Sequence, residues 1–251
     1  MGALHAGHLS LIEAAREDCD LVVATIFVNP TQFGENEDLS RYPRPLADDL
    51  ELCQSTGVDI LFNPDASTVY PEPNASFVDV PGLSDILEGA QRPGHFRGVA
   101  TIVLKLLNIV MPDVAYFGQK DFQQQLLIRR MVEDLNVPVQ IQTCPTIREK
   151  DGLALSSRNT YLTGDERQTA LELSATLRMA GELIAAGNSP EAIRRQMKTH
   201  LESISGLVLD YATIAEPDTL IQSNEPRSSW VALVAARVGK TRLIDNMRFE
   251  T

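Results

Sequence analysis

Leu21-Val22-Val23-Ala24-Thr25-Ile26-Phe27-Val28, closed by the polar loop Asn29-Pro30-Thr31-Gln32-Phe33-Gly34, decides the fold. An unbroken apolar and β-branched run of this length is the pattern of a parallel strand covered on both faces. Ahead of it, residues 9–16 place apolar side chains on one side of an amphipathic helix. Behind it the same alternation repeats. Residues 46–55 read as a helix and 58–62 as a strand; 98–110 as a helix that stops before Pro112; 114–117 as a strand; then a helix to about residue 135 and a strand around 139–141. Strands alternating with helices predict an α/β, doubly wound parallel sheet. In such sheets ligands sit outside the carboxyl ends of the strands, where the polar loops fall.

The second part of the chain has another rhythm. Residues 163–186 and 189–203 read as helices split by Gly187-Asn188, with Thr163 and Glu166 spaced as a capping box. Strand-like stretches follow at 208–214 and 230–236, and residues 234–237 and 241–244 read as a hairpin. We therefore expect two domains, 1–145 and a smaller α+β domain at 146–251.

The formal net charge is −12. So acidic a surface argues against nucleic-acid and anionic-membrane partners, and an anionic substrate then requires a local basic cluster. Cys19, Cys53 and Cys144 are far apart, odd in number and without CxxC spacing, which reads as reduced thiols and a cytoplasmic location. No apolar run is long enough for a membrane span. Gly239-Lys240-Thr241 lacks the upstream glycine of a P-loop, and neither a GxGxxG run nor a Ser-His-Asp order is present.

The loops carry the chemistry. Met1-Gly2-Ala3-Leu4-His5-Ala6-Gly7-His8 precedes the first helix, and a helix start offers unpaired N–H donors and a positive dipole end to a polyphosphate. His5 and His8 are three apart, so they share a helix face and can donate to phosphate oxygens, more strongly if protonated. Gln32 offers an amide to a small polar ligand. Asp48 and Asp49 are acidic residues at a helix start, which fits either capping or a Mg²⁺ held together with substrate phosphates. The loop at 87–98 gathers Glu88, Arg92, His95 and Arg97 among glycines, and Gly118-Gln119-Lys120-Asp121, followed by Gln124, forms a strand-to-helix turn. Leu155-Ser156-Ser157-Arg158 sets two hydroxyls beside a guanidinium, suited to a triphosphate.

The ordered set MGALHAGH, FVNPTQF, RYPR, GHFRGV, PDVAYFGQKDFQQ and DGLALSSRN resembles the pantothenate synthetase (pantoate–β-alanine ligase) family over residues 1–165, and HAGH matches the HxGH signature of the wider nucleotidyltransferase superfamily. The resemblance implies a Rossmann-like domain, a C-terminal lid domain and a homodimer. It implies an ATP- and Mg²⁺-dependent ligase joining pantoate to β-alanine through a pantoyl adenylate, releasing AMP and pyrophosphate. By motif match, His5, His8, Lys120 and Arg158 are the catalytic groups. The nucleotide is held by residues 1–8, Gly118, Gln119, Lys120, Asp121, Ile147, Leu155, Ser156, Ser157 and Arg158, with Arg158 arriving as the lid closes. Gln32 and Gln124 take pantoate, and Asp48 or Asp49 the metal. The family carries a further strand ahead of the Met-Gly, so the first strand of the sheet is expected to be absent from this chain. Other HxGH nucleotidyltransferases, or a nucleotide-binding relative with little activity, are the alternative readings.

Overall fold

A computed structural model of the chain describes residues 2–34, 39–73 and 75–251. Contacts divide it into two compact units, Met1–Gln119 with Gln123–Pro145, and Lys120–Phe122 with Thr146–Thr251. Within the second group the Asn246 side chain donates to the Lys120 carbonyl at 2.8 Å.

In the first unit α1 (Ala6–Asp18) leads to β1 (Val23–Thr25), and α2 (Leu46–Thr56) to β2 (Ile60–Phe62), which pairs with β1 in parallel. Two short helices, α3 (Ala66–Val69) and α4 (Glu88–Gln91), precede α5 (His95–Val110). Then come β3 (Val114–Gly118), α6 (Phe122–Asp134) and β4 (Gln140–Cys144), with β3 and β4 parallel. The core lies between α5 and α6, where Phe96, Val99, Ala100 and Leu107 meet Leu127, Ile128, Met131 and Val132.

The apolar run at 21–28 is buried as expected at Val22, Ile26 and Phe27, yet only three of its residues form ladder. Hydrophobicity reports burial, whereas a strand also needs a paired neighbour. The Val22 N–H is taken instead by the Asp59 carboxylate at 2.8 Å, which Arg16 also grips at 2.7 Å. Beyond Ile26 the chain turns away into the Asn29 loop. Among the described residues the parallel strands pair as β1–β2 and β3–β4.

The second unit holds α7 (Gly164–Ala185), α8 (Pro190–Glu202) and an antiparallel meander of β5 (Leu207–Ala215), β6 (Ser229–Val238) and β7 (Thr241–Glu250). Thr163 Oγ1 accepts from the Glu166 N–H and Glu166 Oε2 from the Thr163 N–H, which closes the capping box. The hairpin is longer than the sequence indicated because β6 and β7 pair along their whole length from the two-residue turn Gly239-Lys240. Leu173, Leu177, Ile193, Met197 and Leu201 of the two helices pack on Ile214, Trp230, Ala232 and Val234 of the sheet.

No helix among the described residues is long and apolar enough to cross a membrane.

Candidate functional site

His5 is not the first residue of α1 but its N-cap, and His8 is the third residue of the helix. His5 Nδ1 accepts from the Gly7 N–H at 3.2 Å, and His8 Nδ1 accepts from the His5 N–H at 3.3 Å. An imidazole nitrogen that accepts carries no proton, so both rings are neutral with the proton on Nε2. The rings lie 4.0 Å apart between centroids, a separation at which two imidazolium ions would repel strongly. Each Nδ1 is the acceptor in this cap, and its protonation would break the cap.

The expectation of unpaired backbone donors at this helix start is corrected as well. The Ala3 and Leu4 N–H groups donate to Asp49 Oδ2 and Oδ1 at 2.8 and 2.7 Å, and the His8 and Leu9 N–H groups both donate to the His5 carbonyl. With the His5 and Gly7 amides in the cap, most of the backbone donors of this segment are already engaged. The positive end of α1 also faces this segment. Met1 lies outside the described residues.

Asp49 is 1 % exposed and has both oxygens engaged by that loop, so it anchors residues 3 and 4. Ala3 sits at φ 52°, a left-handed conformation that costs a non-glycine residue about 1–2 kcal/mol, and the two hydrogen bonds hold it there. Asp48 beside it is exposed. Among the described residues no group of three or more His, Cys, Asp or Glu side chains is arranged to hold a metal ion.

Gln32 ends a single 3-10 turn, Pro30–Gln32, whose N-cap is Asn29. Asn29 is 1 % exposed and was missed in the sequence, where an Asn-Pro pair reads as an ordinary turn. Its Oδ1 accepts from Thr31 N and Oγ1 and from Tyr70 Oη, while its Nδ2 donates to the Gly98 carbonyl and to Gln32 Oε1 at 3.1 Å. The carbonyl end of the Gln32 amide thus faces Asn29, which turns the NH₂ end the other way. Gly98 of α5 lies so close that a Cβ there would meet the Thr31 carbonyl oxygen at 2.4 Å.

Of the neighbouring glutamines on α6, Gln123 is fixed by Leu83, Ile86 and Glu88, and Gln125 by Arg129 and Thr143. Gln124 is half-buried and has no hydrogen-bond partner among the described residues. Gly118 closes β3 with open space above its Cα, Gln119 is half-buried and Asp121 is exposed.

In the second unit Lys120 and Ser156 line one small pocket with Leu153, Ala154, Asn159 and Asp245. The Lys120 ammonium has no partner among the described residues. Ser156 Oγ accepts from the Arg158 N–H at 3.2 Å and caps the 3-10 turn Ser157–Tyr161. Ile147 and Leu155 face each other through a backbone hydrogen bond of 2.9 Å. The turn is anchored by Asn159, whose Nδ2 donates to Glu149 Oε1 at 2.6 Å; Glu149 also accepts from Arg167 at 2.6 Å, and that guanidinium holds its carboxyl below the ordinary range.

Comparison with known proteins places this geometry. The sequence profile described as Pantoate-beta-alanine ligase matches residues 1–248. The chain belongs to the pantoate–β-alanine ligase family. Two relatives named pantothenate synthetase illustrate the likeness: that of Moorella thermoacetica is 52 % identical over 251 residues, covering 100 % of this chain and 89 % of that protein. Pantothenate synthetase 1 of Bradyrhizobium diazoefficiens is 55 % identical over 249 residues, covering 98 % and 87 %. The crystal structure of the Thermus thermophilus pantothenate synthetase superposes with a TM-score of 0.95 at 46 % identity, covering 98 % of this chain and 90 % of that one. The Francisella tularensis pantoate-beta-alanine ligase, complexed with beta-gamma ATP and beta-alanine, gives 0.80 at 38 % identity, covering 98 % and 86 %. The α/β architecture with its antiparallel C-terminal sheet is thus the family's fold, and the chain is an enzyme of the ligase class.

Proposed function

We propose that the chain joins pantoate to β-alanine in an ATP-dependent, two-step reaction. A pantoate carboxylate oxygen attacks the α-phosphorus, the bond to the β-phosphate oxygen breaks, and pyrophosphate leaves. The β-alanine amine then attacks the acyl carbon of the adenylate, sheds a proton, and AMP departs.

The obstacle in the first step is that both reactants are anions. The neutral His5–His8 pair answers it with two Nε2–H donors at the positive end of α1, fixed in direction before the substrate arrives. Donors preorganised in this way are worth about 3–4 kcal/mol each when charge develops on a departing phosphate. Lys120, Ser156, Ser157 and Arg158 are assigned to the phosphates, Ile147 and Leu155 to the adenine side, and Gly118 to Asp121 to the nucleotide backbone. Gln32 and Gln124 are assigned to pantoate, with donors suited to its carboxylate and hydroxyls. Magnesium enters as part of the nucleotide substrate, with Asp48 or Asp49 at the start of α2 assigned to it. The C-terminal unit as a lid, a homodimeric assembly and a cytoplasmic setting belong to the same reading.

The observation that carries the proposal is the mutual cap of His5 and His8, which fixes two imidazoles side by side at this helix start. The test is pyrophosphate release. Release that needs ATP and pantoate together, with pantothenate formed only when β-alanine is added, is the expected result. Release with a phosphorylated acceptor instead, or nucleotide binding without any release, would refute it.

A further inference from the structure

His95 is the first residue of α5 and is 8 % exposed, yet the ligase reading gives it no work. Its two ring nitrogens have different partners. Nε2 lies 3.0 Å from Arg92 Nη1, at the end of α4, and Nδ1 lies 2.8 Å from the Gln32 carbonyl oxygen. A guanidinium donates and never accepts, so Nε2 is the acceptor and the proton sits on Nδ1. That proton is then donated to the Gln32 carbonyl. Arg92 thus fixes the tautomer, the tautomer fixes the bond, and the bond fixes the backbone of Gln32.

We propose that His95 is a positioning residue for Gln32, setting the orientation in which the Gln32 amide meets the hydroxy-acid substrate. The inference rests on the assignment of Gln32 to that substrate. Three constraints converge on this one residue. Its carbonyl is held by His95 at 2.8 Å and, at the longer 3.5 Å, by Arg92 Nη2, its Oε1 by Asn29, and its turn lies against Gly98 with no room for a side chain. With the carbonyl and Oε1 both tied, the Gln32 amide keeps one orientation, its NH₂ end pointed away from Asn29. Without His95 the carbonyl keeps only the long Arg92 contact, which lets the turn rotate, and the amide then presents its NH₂ in the wrong direction for part of the time. Such a loss acts on the substrate that Gln32 contacts and leaves the nucleotide alone.

Four variants test this, His95→Ala, His95→Asn, His95→Gln and Gln32→Ala, together with the double variant Gln32→Ala/His95→Ala. Asn carries a nitrogen at the reach of Nδ1, whereas the Gln amide reaches only to the level of Nε2. We expect His95→Ala to raise the KM for pantoate about tenfold, as for one buried hydrogen bond, with the KM for ATP nearly unchanged. His95→Asn restores most of the loss and His95→Gln does not. Because His95 acts through Gln32, the double variant is no worse than Gln32→Ala alone. If His95→Ala does not fold, the contrast between the Asn and Gln variants carries the same test. Additive losses in the double variant, equal rises in both KM values, or no difference between Asn and Gln would overturn the proposal. A Gln32→Ala enzyme with normal use of pantoate would instead overturn the substrate assignment on which it rests.

Discussion

Asp49→Asn separates an anchor from a metal ligand. In the structure both carboxylate oxygens accept backbone N–H groups, from Ala3 at 2.8 Å and Leu4 at 2.7 Å, at a site 1 % exposed. Hydrogen bonds to a charged acceptor contribute about 1.5–3 kcal/mol each. The Asn side chain keeps one carbonyl oxygen, so one bond survives in weaker, neutral form. Its NH₂ faces the other amide, leaving two buried donors in opposition, which costs a further ~1–3 kcal/mol. The net loss is about 2–4 kcal/mol, and Ala3 at φ 52° loses what holds it in its left-handed conformation. The assay is denaturant unfolding in metal-free buffer, followed by ATP titration calorimetry over a series of Mg²⁺ concentrations. We expect a lower unfolding midpoint without metal and an ATP affinity about tenfold weaker at every Mg²⁺ level, since the loop is competent for only part of the time. A variant as stable as the parent without metal, whose defect is relieved by raising Mg²⁺, would refute the anchor.

Three shorter predictions follow from the same geometry. His8→Asn retains an acceptor where Nδ1 caps the His5 amide but removes the Nε2–H donor; it should melt like the parent while pantoyl-adenylate formation, followed by pyrophosphate release, falls at least ~10²-fold. Gly98→Ala drives a methyl to 2.4 Å from the Thr31 oxygen, so it should cost about 1–3 kcal/mol of stability by calorimetry and weaken pantoate binding more than ATP binding. Glu149→Gln removes a carboxylate whose folded pKa is depressed, chiefly by the Arg167 hydrogen bond. A depressed carboxylate contributes stability that is complete above its unfolded pKa of about 4.3 and is lost as pH falls through the lower, folded value. The gap between variant and parent, measured by urea melts, should therefore be full at pH 7 and close as the medium becomes more acidic than pH 4.

The sequence by itself determined which elements exist and which residue types cluster in loops. The alternation of 3.6- and 2-residue periods marks the helices and strands, and the Thr163–Glu166 pair marks the start of α7, because these signals are local and need only neighbours in the chain. The order of the loop motifs marked the family for the same reason. Tertiary structure decided what the polar groups do. Nothing near Asp49 in sequence reveals that its oxygens meet residues 3 and 4, and nothing near His95 reveals the Gln32 carbonyl as a partner of its ring. The proton positions of His5, His8 and His95, the orientation of the Gln32 amide, and the shortening of the 21–28 run to a three-residue strand are all set by hydrogen-bond partners. A hydrogen bond depends on where a second group lies in space, and a pattern read along the chain carries no record of partners forty or sixty residues away.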